Sequence, residues 1–223
     1  MARTTEQNEA LRATMRSTVE TAAVRVFARR GFAAASIRQI ADEAQISTGS
    51  IYRHYASKEE LFDELVEQAA RGLGAAAAKL SAGGDPIDLI RSFTEAYSAD
   101  LAADTGAAEF YMVMNHGFTT DTPTGTASRL AASQKAVWQA FASLVEQGQA
   151  ERRIVAGDPA RTTAHYFADV LNVLTHADPT NDATVLTFLQ ELIGEPNTPG
   201  AFNRHLGARA GARSFTLVVD RAA

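Results

Sequence analysis

Apolar residues recur at helical spacing along most of the chain, and breaks in that pattern divide it into separate helices. One apolar stripe covers residues 14–30 and ends at Gly31, a residue typical of helix ends. A second stripe covers residues 58–80. Further helices are predicted over residues 86–103, 107–118, 125–150, 159–176 and 182–193. No alternating strand pattern occurs before residue 195, so the sequence predicts an all-α fold.

Residues 31–62 contain two short helical patterns joined by a tight turn. Ser36 and Gln39 have the spacing of a capping box, which predicts that the first helix begins just after Ser36. The turn falls at Gln45, and Ser47 can cap the second helix. Such a pair of helices is the arrangement of a DNA-binding helix-turn-helix.

A third helix follows the pair. Ser57 and Glu60 form another capping-box pattern, which predicts a helix beginning at Lys58. Tyr55 is predicted to pack in the core of this small domain beside Phe32 and Phe62. The segment 31–62 therefore predicts a compact three-helix unit.

This segment resembles the DNA-binding domain of the tetracycline-repressor-like (TetR) family of bacterial transcriptional regulators. The resemblance rests on residues that match the family pattern in register: Gly31-Phe32, Ser36, Ile37, Ile40-Ala41, Ala44, Ile46-Ser47, Gly49, Ile51-Tyr52, His54-Tyr55, Ser57-Lys58-Glu59 and Leu61. It implies a helix-turn-helix domain followed by a helical ligand-binding and dimerisation domain. One position departs from the pattern, because Gln45 occupies a turn position where the family usually has glycine.

Polar and small residues of the motif are the predicted DNA contacts. Gly49 allows the backbone of the second helix to approach the major groove, and Thr48 can contact base edges or thymine methyl groups. Tyr52 and Lys58 can bind phosphates, Lys58 from a helix start that also favours anions. The complete predicted set is Ser36, Arg38, Ser47, Thr48, Gly49, Ser50, Tyr52, His54 and Lys58.

Charge and linker composition indicate how the chain is divided. Residues 1–58 carry nine basic and five acidic side chains, whereas the remainder carries 12 basic and 21 acidic ones. A basic N-terminal end on an acidic body fits a nucleic-acid footprint confined to that end. We predict a DNA-binding domain at 1–58 with a flexible arm at 1–13, a helical ligand-binding and dimerisation domain at 59–194, and a tail at 195–223.

The body offers candidates for a small-molecule site. An apolar cavity with a few polar groups is the usual composition of such sites. Aromatic and polar residues of the body supply that composition, and the predicted ligand contacts are Tyr111, Asn115, His116, Trp138 and Tyr166. An apolar or aromatic inducer is expected, and most of the body's aromatic residues are expected to fill the core.

The helices at 159–176 and 182–193 have apolar faces that need a second partner. They fit the four-helix dimer interface that the resemblance implies. A two-fold dimer predicts a near-palindromic double-stranded operator. The resemblance also favours a repressor that an inducer releases from DNA.

Several other classes are disfavoured. The chain has no cysteine, and its five histidines are scattered, so no metal site or cofactor is predicted. No segment has the length of a membrane span or the apolar core of a signal peptide, so we expect a cytoplasmic protein. Gly72 and Gly74 imitate a dinucleotide fingerprint but follow no strand, and are expected instead to allow a close helix crossing. The alternative to a regulator is a helical scaffold that keeps the motif without binding DNA specifically.

Overall fold

The computed structural model describes residues 5–102 and 106–175, which fold into eight α-helices. Neither range contains a β-strand, in agreement with the all-α prediction. The helices are α1 (Thr5–Ala34), α2 (Ile37–Ala44), α3 (Thr48–Tyr52), α4 (Lys58–Leu80), α5 (Pro86–Ala102), α6 (Ala107–Thr120), α7 (Thr126–Ala150) and α8 (Pro159–Thr175). The predicted helix at 182–193 and the tail at 195–223 lie outside the described residues.

Helix α1 begins at Thr5, within the segment 1–13 for which the sequence predicted a flexible arm. The flexible arm stays a prediction. Residues 5–13 contain no glycine or proline, so the sequence can continue the helix towards the N-terminus. At the other end, Gly31 has φ 74° and ψ 161°, which interrupts the helix where the apolar stripe predicted its end.

One hydrophobic core joins α1, α2, α3 and α4. Phe27, Phe32 and Phe62 pack edge to face or tilted, with ring centroids 5.0–5.7 Å apart. The same core includes Val113 and Met114 of α6. Packing therefore runs across residue 58, and the domain boundary predicted there stays a prediction.

A second core lies between the C-terminal half of α4 and the helices α5, α7 and α8. The most extensive helix–helix packing in the described chain is between α4 and α7. Asp85 caps α5 by accepting hydrogen bonds from the N–H groups of Ile87 and Asp88 at 2.9 and 3.1 Å. Its carboxylate also forms an ion pair with Arg153, which joins the α4–α5 and α7–α8 connections.

The close helix crossing predicted at Gly72 and Gly74 is wrong. Both residues are exposed on α4, and a Cβ atom added to either would have no neighbour within 4 Å. The close approach occurs instead at Gly148 of α7, where an added Cβ would lie 2.5 Å from Cδ1 of Ile154. In the described ranges, no helix is both long and apolar enough to cross a membrane.

Candidate nucleic-acid interface

Side-chain caps define both helices of the motif. Ser36 and Gln39 form the complete capping box of α2: the Ser36 hydroxyl accepts from the Gln39 N–H, and the Gln39 side chain accepts from the Ser36 N–H. The hydroxyl of Ser47 accepts from the N–H of Ser50 at 3.1 Å and caps α3. Ser57 caps α4 through the N–H of Glu60. All three predicted caps are confirmed.

The turn between α2 and α3 depends on a left-handed residue. Gln45 has φ 55° and ψ 40°, and its N–H points back to the carbonyl oxygens of Ala41 and Asp42. The N–H of Ile46 also donates to Ala41 O at 3.0 Å. These bonds close the end of α2 and turn the chain directly into α3.

Replacing Gln45 with glycine should stabilise the domain. A non-glycine residue in the left-handed region costs about 1–2 kcal/mol, and the greater freedom of an unfolded glycine offsets about 0.4–1 kcal/mol of that gain. We expect Gln45→Gly to raise the urea midpoint at an unchanged m-value, by a net of roughly 0.5–1 kcal/mol. Gln45→Ala keeps the strain and serves as the control. A glycine variant no more stable than the alanine variant would contradict this expectation.

Helix α3 has one buried and one exposed face. Ile51 is fully buried, and Tyr55, just beyond the helix, is 5% exposed, which confirms its predicted place in the core. The outward face carries Thr48, Gly49, Tyr52 and Arg53, all exposed. We call these four residues the α3 face.

The side chains of the α3 face are small at its N-terminal end, at Thr48 and Gly49, and large at its C-terminal end, at Tyr52 and Arg53. Tyr52 is 56% exposed, so its ring and hydroxyl are free to meet a partner. A Cβ added to Gly49 would meet only the Ser47 hydroxyl, at 3.8 Å. Within the described part of the chain, no contact therefore requires glycine at this position.

Other predicted contacts have partners inside the domain. The hydroxyls of Ser47 and Ser50 lie 3.0 Å apart and hydrogen-bond each other. The Lys58 ammonium donates to Phe32 O at 2.8 Å and Ala35 O at 3.0 Å, and lies 4.4 Å from the centroid of the Phe32 ring. Two of its three N–H bonds thus hold the end of α1, and one remains for an external anion.

The remaining predicted residues lie at the edge of the motif. Ser36 and Arg38 are exposed at the start of α2, and His54 is half-buried after α3. Among the described residues, no carboxylate lies within ion-pair distance of Arg38. The exposed Arg38 guanidinium on α2 is therefore available for an external anion.

Arg53 was missing from the predicted set. It shares the exposed face with Gly49, four residues earlier, and has no ion-pair partner among the described residues. Helical spacing from Gly49 is the sequence signal that identifies it. A planar guanidinium there can bind a phosphate or the edge of a guanine.

The predicted ligand contacts are only partly brought together. Tyr111 lies against Tyr97, with centroids 4.8 Å apart, and Trp138 stacks on Phe167 at 5.2 Å. These half-buried rings meet around Phe93. Burial raises the pKa of the Tyr111 phenol, and the nearby Asp100 raises it further, so the hydroxyl stays protonated near neutral pH.

Two predicted ligand residues do not line an enclosed site. His116 is exposed on α6, because its position is one helical step from the buried stripe of Val113 and Gly117. Tyr166 is fully buried, stacks on Phe141 at 4.4 Å and hydrogen-bonds Thr94, so it belongs to the second core. Asn115, also on α6, is half-buried.

Two open grooves occur elsewhere in the described structure. One, of about 610 Å³, follows α1 and the end of α2, and includes Thr21, Arg25 and Gln45. The other, of about 600 Å³, lies between α4 and α7 near Leu80 and Gln139. None of the five predicted ligand residues lines either groove. Residues 5–102 and 106–175 also contain no group of acidic or histidine side chains that would hold a metal ion.

Comparison with known proteins identifies the N-terminal part. Residues 21–65 match the family model of bacterial regulatory proteins, tetR family. Over these residues the chain is similar to the DNA-binding part of TetR-family regulators. KstR2, an HTH-type transcriptional repressor of Mycobacterium tuberculosis, is 54% identical over 44 residues, which are 20% of this chain and 22% of the repressor. The TetR match therefore covers the motif and about a fifth of that relative.

The overall fold is similar to that of solved transcriptional regulators. The structure of KstR2 from Mycobacterium tuberculosis superposes with a TM-score of 0.68 and 20% identity, covering 81% of this chain and 95% of that one. The structure of AibR with isovaleryl coenzyme A and operator DNA has a TM-score of 0.65 and 19% identity, covering 81% and 98%. At these identities the likeness shows the fold, a helix-turn-helix domain followed by a helical domain.

Proposed function

We propose that this protein is a ligand-responsive transcriptional regulator that binds operator DNA, and that it acts as a repressor rather than as an enzyme. The α3 face carries the proposal. Its small N-terminal end and its exposed Tyr52 and Arg53 suit entry into a major groove. The repressor role rests on similarity to KstR2, which is named a repressor. A protein of this function works in the cytoplasm, where the DNA is.

The DNA contacts we propose are the four residues of the α3 face, supported by Arg38, His54 and the free N–H of Lys58. Ser36, Ser47 and Ser50 act first as caps, and their remaining hydrogen-bonding capacity can reach phosphates. The domain division at 1–58, 59–194 and 195–223 remains part of the proposal. Base contacts on α3 would give specificity, and phosphate contacts around it would give register.

The regulator is proposed to be a homodimer on a near-palindromic operator. In helix-turn-helix dimers, half-sites lie about 34–36 Å apart, one turn of DNA. Helix α8 is the described element that we assign to the dimer interface, because Phe167 and Ala164 remain only half-buried within one chain. The predicted partner helix at 182–193 belongs to the same proposal.

The inducer is proposed to be an apolar or aromatic small molecule. Phe93, Tyr97, Tyr111, Trp138 and Phe167 form a chain of half-buried rings between α5, α6, α7 and α8. Rearrangement of these rings would open an apolar site, with Asn115 on the same helix as Tyr111. AibR, which shares the fold, has been solved with both isovaleryl coenzyme A and operator DNA.

Packing offers a route from the body to the DNA-binding domain. Val113 and Met114 of α6 share a core with α1 and α4. A ligand that displaces α6 or α4 would therefore change the spacing of the two DNA-binding domains in the dimer. Coupling of about 1–3 kcal/mol is enough for a 5- to 150-fold release from DNA.

Substitution of Tyr52 tests the proposal. We expect Tyr52→Ala to weaken binding to the protein's own upstream DNA by about 10- to 100-fold, because a lost base or phosphate contact costs roughly 1–3 kcal/mol. Fluorescence anisotropy at physiological salt, with scrambled DNA of equal length, measures the change. Tyr52→Phe separates the hydroxyl from the ring. A helical scaffold would bind both DNAs equally weakly and would be insensitive to either substitution.

A further inference from the structure

A carboxylate of α1, that of Glu20, contacts both the segment that follows α3 and helix α4. The Tyr55 hydroxyl donates to Oε1 of Glu20 at 2.5 Å, and the Gln68 side-chain amide donates to Oε2 at 2.8 Å. Both carboxylate oxygens thus have partners from different elements. Burial, and then the bond to Glu20, raises the pKa of the Tyr55 phenol, which remains a donor at neutral pH.

A backbone hydrogen bond connects Tyr55 to α3. Its N–H donates to Ile51 O at 3.0 Å, and its side chain is 5% exposed. Tyr52 of the α3 face is only three residues earlier. A displacement of Tyr55 would therefore tilt the C-terminal end of α3, where Tyr52 and Arg53 lie.

Gln68 connects the same carboxylate to α4. On another face of that helix, Arg129 of α7 donates to Glu67 at 3.0 Å and to the carbonyl of Asp63 at 3.2 Å. One segment of α4 is thus attached to the body by Arg129 and to α1 by Gln68. A shift of this segment acts directly on Glu20.

The hydrogen bonds of Glu20 respond to a shift of α4 more sharply than the surrounding apolar contacts do. Apolar contacts tolerate small sliding, because the hydrophobic effect has no direction. Hydrogen bonds weaken steeply when their distance or angle departs from the preferred range. We propose that Glu20 is a positioning residue that sets the orientation of α3 relative to α4, and through it the operator affinity. This inference rests on the proposed DNA-binding function.

A double-mutant cycle tests the inference. We expect Tyr55→Phe and Gln68→Met each to raise the operator Kd by about 3- to 30-fold, within the range of coupling in one hydrogen-bond network. The Kd of the double variant should be no higher than that of the single variant with the higher Kd. Either single change already breaks the connection that Glu20 makes between Tyr55 and Gln68. The salt dependence should stay unchanged, since no phosphate contact is removed. Circular dichroism confirms that each variant is folded at the measuring temperature.

Two further variants separate positioning from stability. Glu20→Gln can keep both contacts if the Gln68 amide reverses, so it should retain operator affinity within about threefold, whereas Glu20→Leu should not. Gln147→Met, at an exposed position of α7, is the matched control. A merely structural role would lower the melting temperature and leave the Kd of the folded protein unchanged. That result, or multiplicative effects in the cycle, would overturn the proposal.

A measurement without DNA distinguishes this inference from the proposed function. The chain has no cysteine, so thiols introduced by Arg53→Cys and Ala75→Cys can be spin-labelled selectively. Gln68→Met should broaden or shift the distance distribution between α3 and α4, measured with labelled protein diluted in unlabelled protein. If the unsubstituted protein binds no operator, the proposed function fails. The distance distribution then tests by itself whether Glu20 sets the orientation of α3 relative to α4. An unchanged distribution would refute the positioning role.

Discussion

Gly49→Leu is expected to abolish specific operator binding while the protein stays folded. A Cβ atom added to Gly49 meets only the Ser47 hydroxyl, and the position is exposed, so we expect the fold to accommodate a larger side chain. On DNA, the same side chain would hold the exposed face of α3 away from the groove. Loss of two or more base contacts, each contributing about 1–3 kcal/mol, predicts an increase in Kd of about 30-fold or more.

The glycine test has two controls. Gly49→Ala should keep or slightly raise the unfolding free energy, because alanine favours helix, and should weaken binding less than leucine does. Gly72→Leu adds the same side chain at an exposed glycine of α4, remote from the motif, and should leave operator binding unchanged. Equal affinity of Gly49→Leu and the unsubstituted protein would show that α3 does not enter a groove.

Gly148→Ala is expected to cause the largest loss of stability. Its Cβ would lie 2.5 Å from Cδ1 and 2.7 Å from Cγ1 of Ile154, which is 5% exposed. Overpacking of this kind costs about 1–3 kcal/mol. For a chain of this size we expect the melting temperature to fall by roughly 3–10 °C. Thermal denaturation followed by circular dichroism measures the change.

At another glycine of the chain, substitution by alanine is expected to raise the stability instead of lowering it. Gly74 is an exposed glycine in α4 with no neighbour within 4 Å of an added Cβ, so Gly74→Ala should stabilise by about 0.5–1 kcal/mol. Trimming the neighbour should rescue the buried site: Gly148→Ala with Ile154→Val should be more stable than Gly148→Ala alone. If the Gly148 and Gly74 variants changed equally, the close contact with Ile154 would not limit stability.

Local signals predicted the helix-turn-helix well. Ser36, Ser47 and Ser57 act as caps at the predicted starts, because capping needs only neighbours within one helical turn. Gln45 takes a left-handed conformation at the turn position where the TetR family usually has glycine. Tyr55 is buried as predicted, since the aromatic residues of a small domain have one core available.

The sequence was less informative about which residues each helix face packs against. Composition suggested a crossing at Gly72 and Gly74, but small residues do not specify which helix approaches them. His116 is exposed because the phase of α6 turns Val113 inward instead. Arg53 was missed because the motif pattern, rather than the helical projection of α3, guided the choice of contacts. Which residues face the core or solvent depends on helix phase and tertiary packing, which local sequence patterns do not specify.

Selection of bound genomic fragments tests the central claim, sequence-specific DNA binding by the helix-turn-helix, most directly. The purified full chain is incubated with sheared DNA of its own genome at physiological salt, and bound fragments are sequenced. The proposal predicts enrichment of a near-palindromic sequence whose half-sites are about one DNA turn apart, and loss of that enrichment in Gly49→Leu. Fragments recovered without a shared sequence, or an enrichment that survives Gly49→Leu, would contradict it.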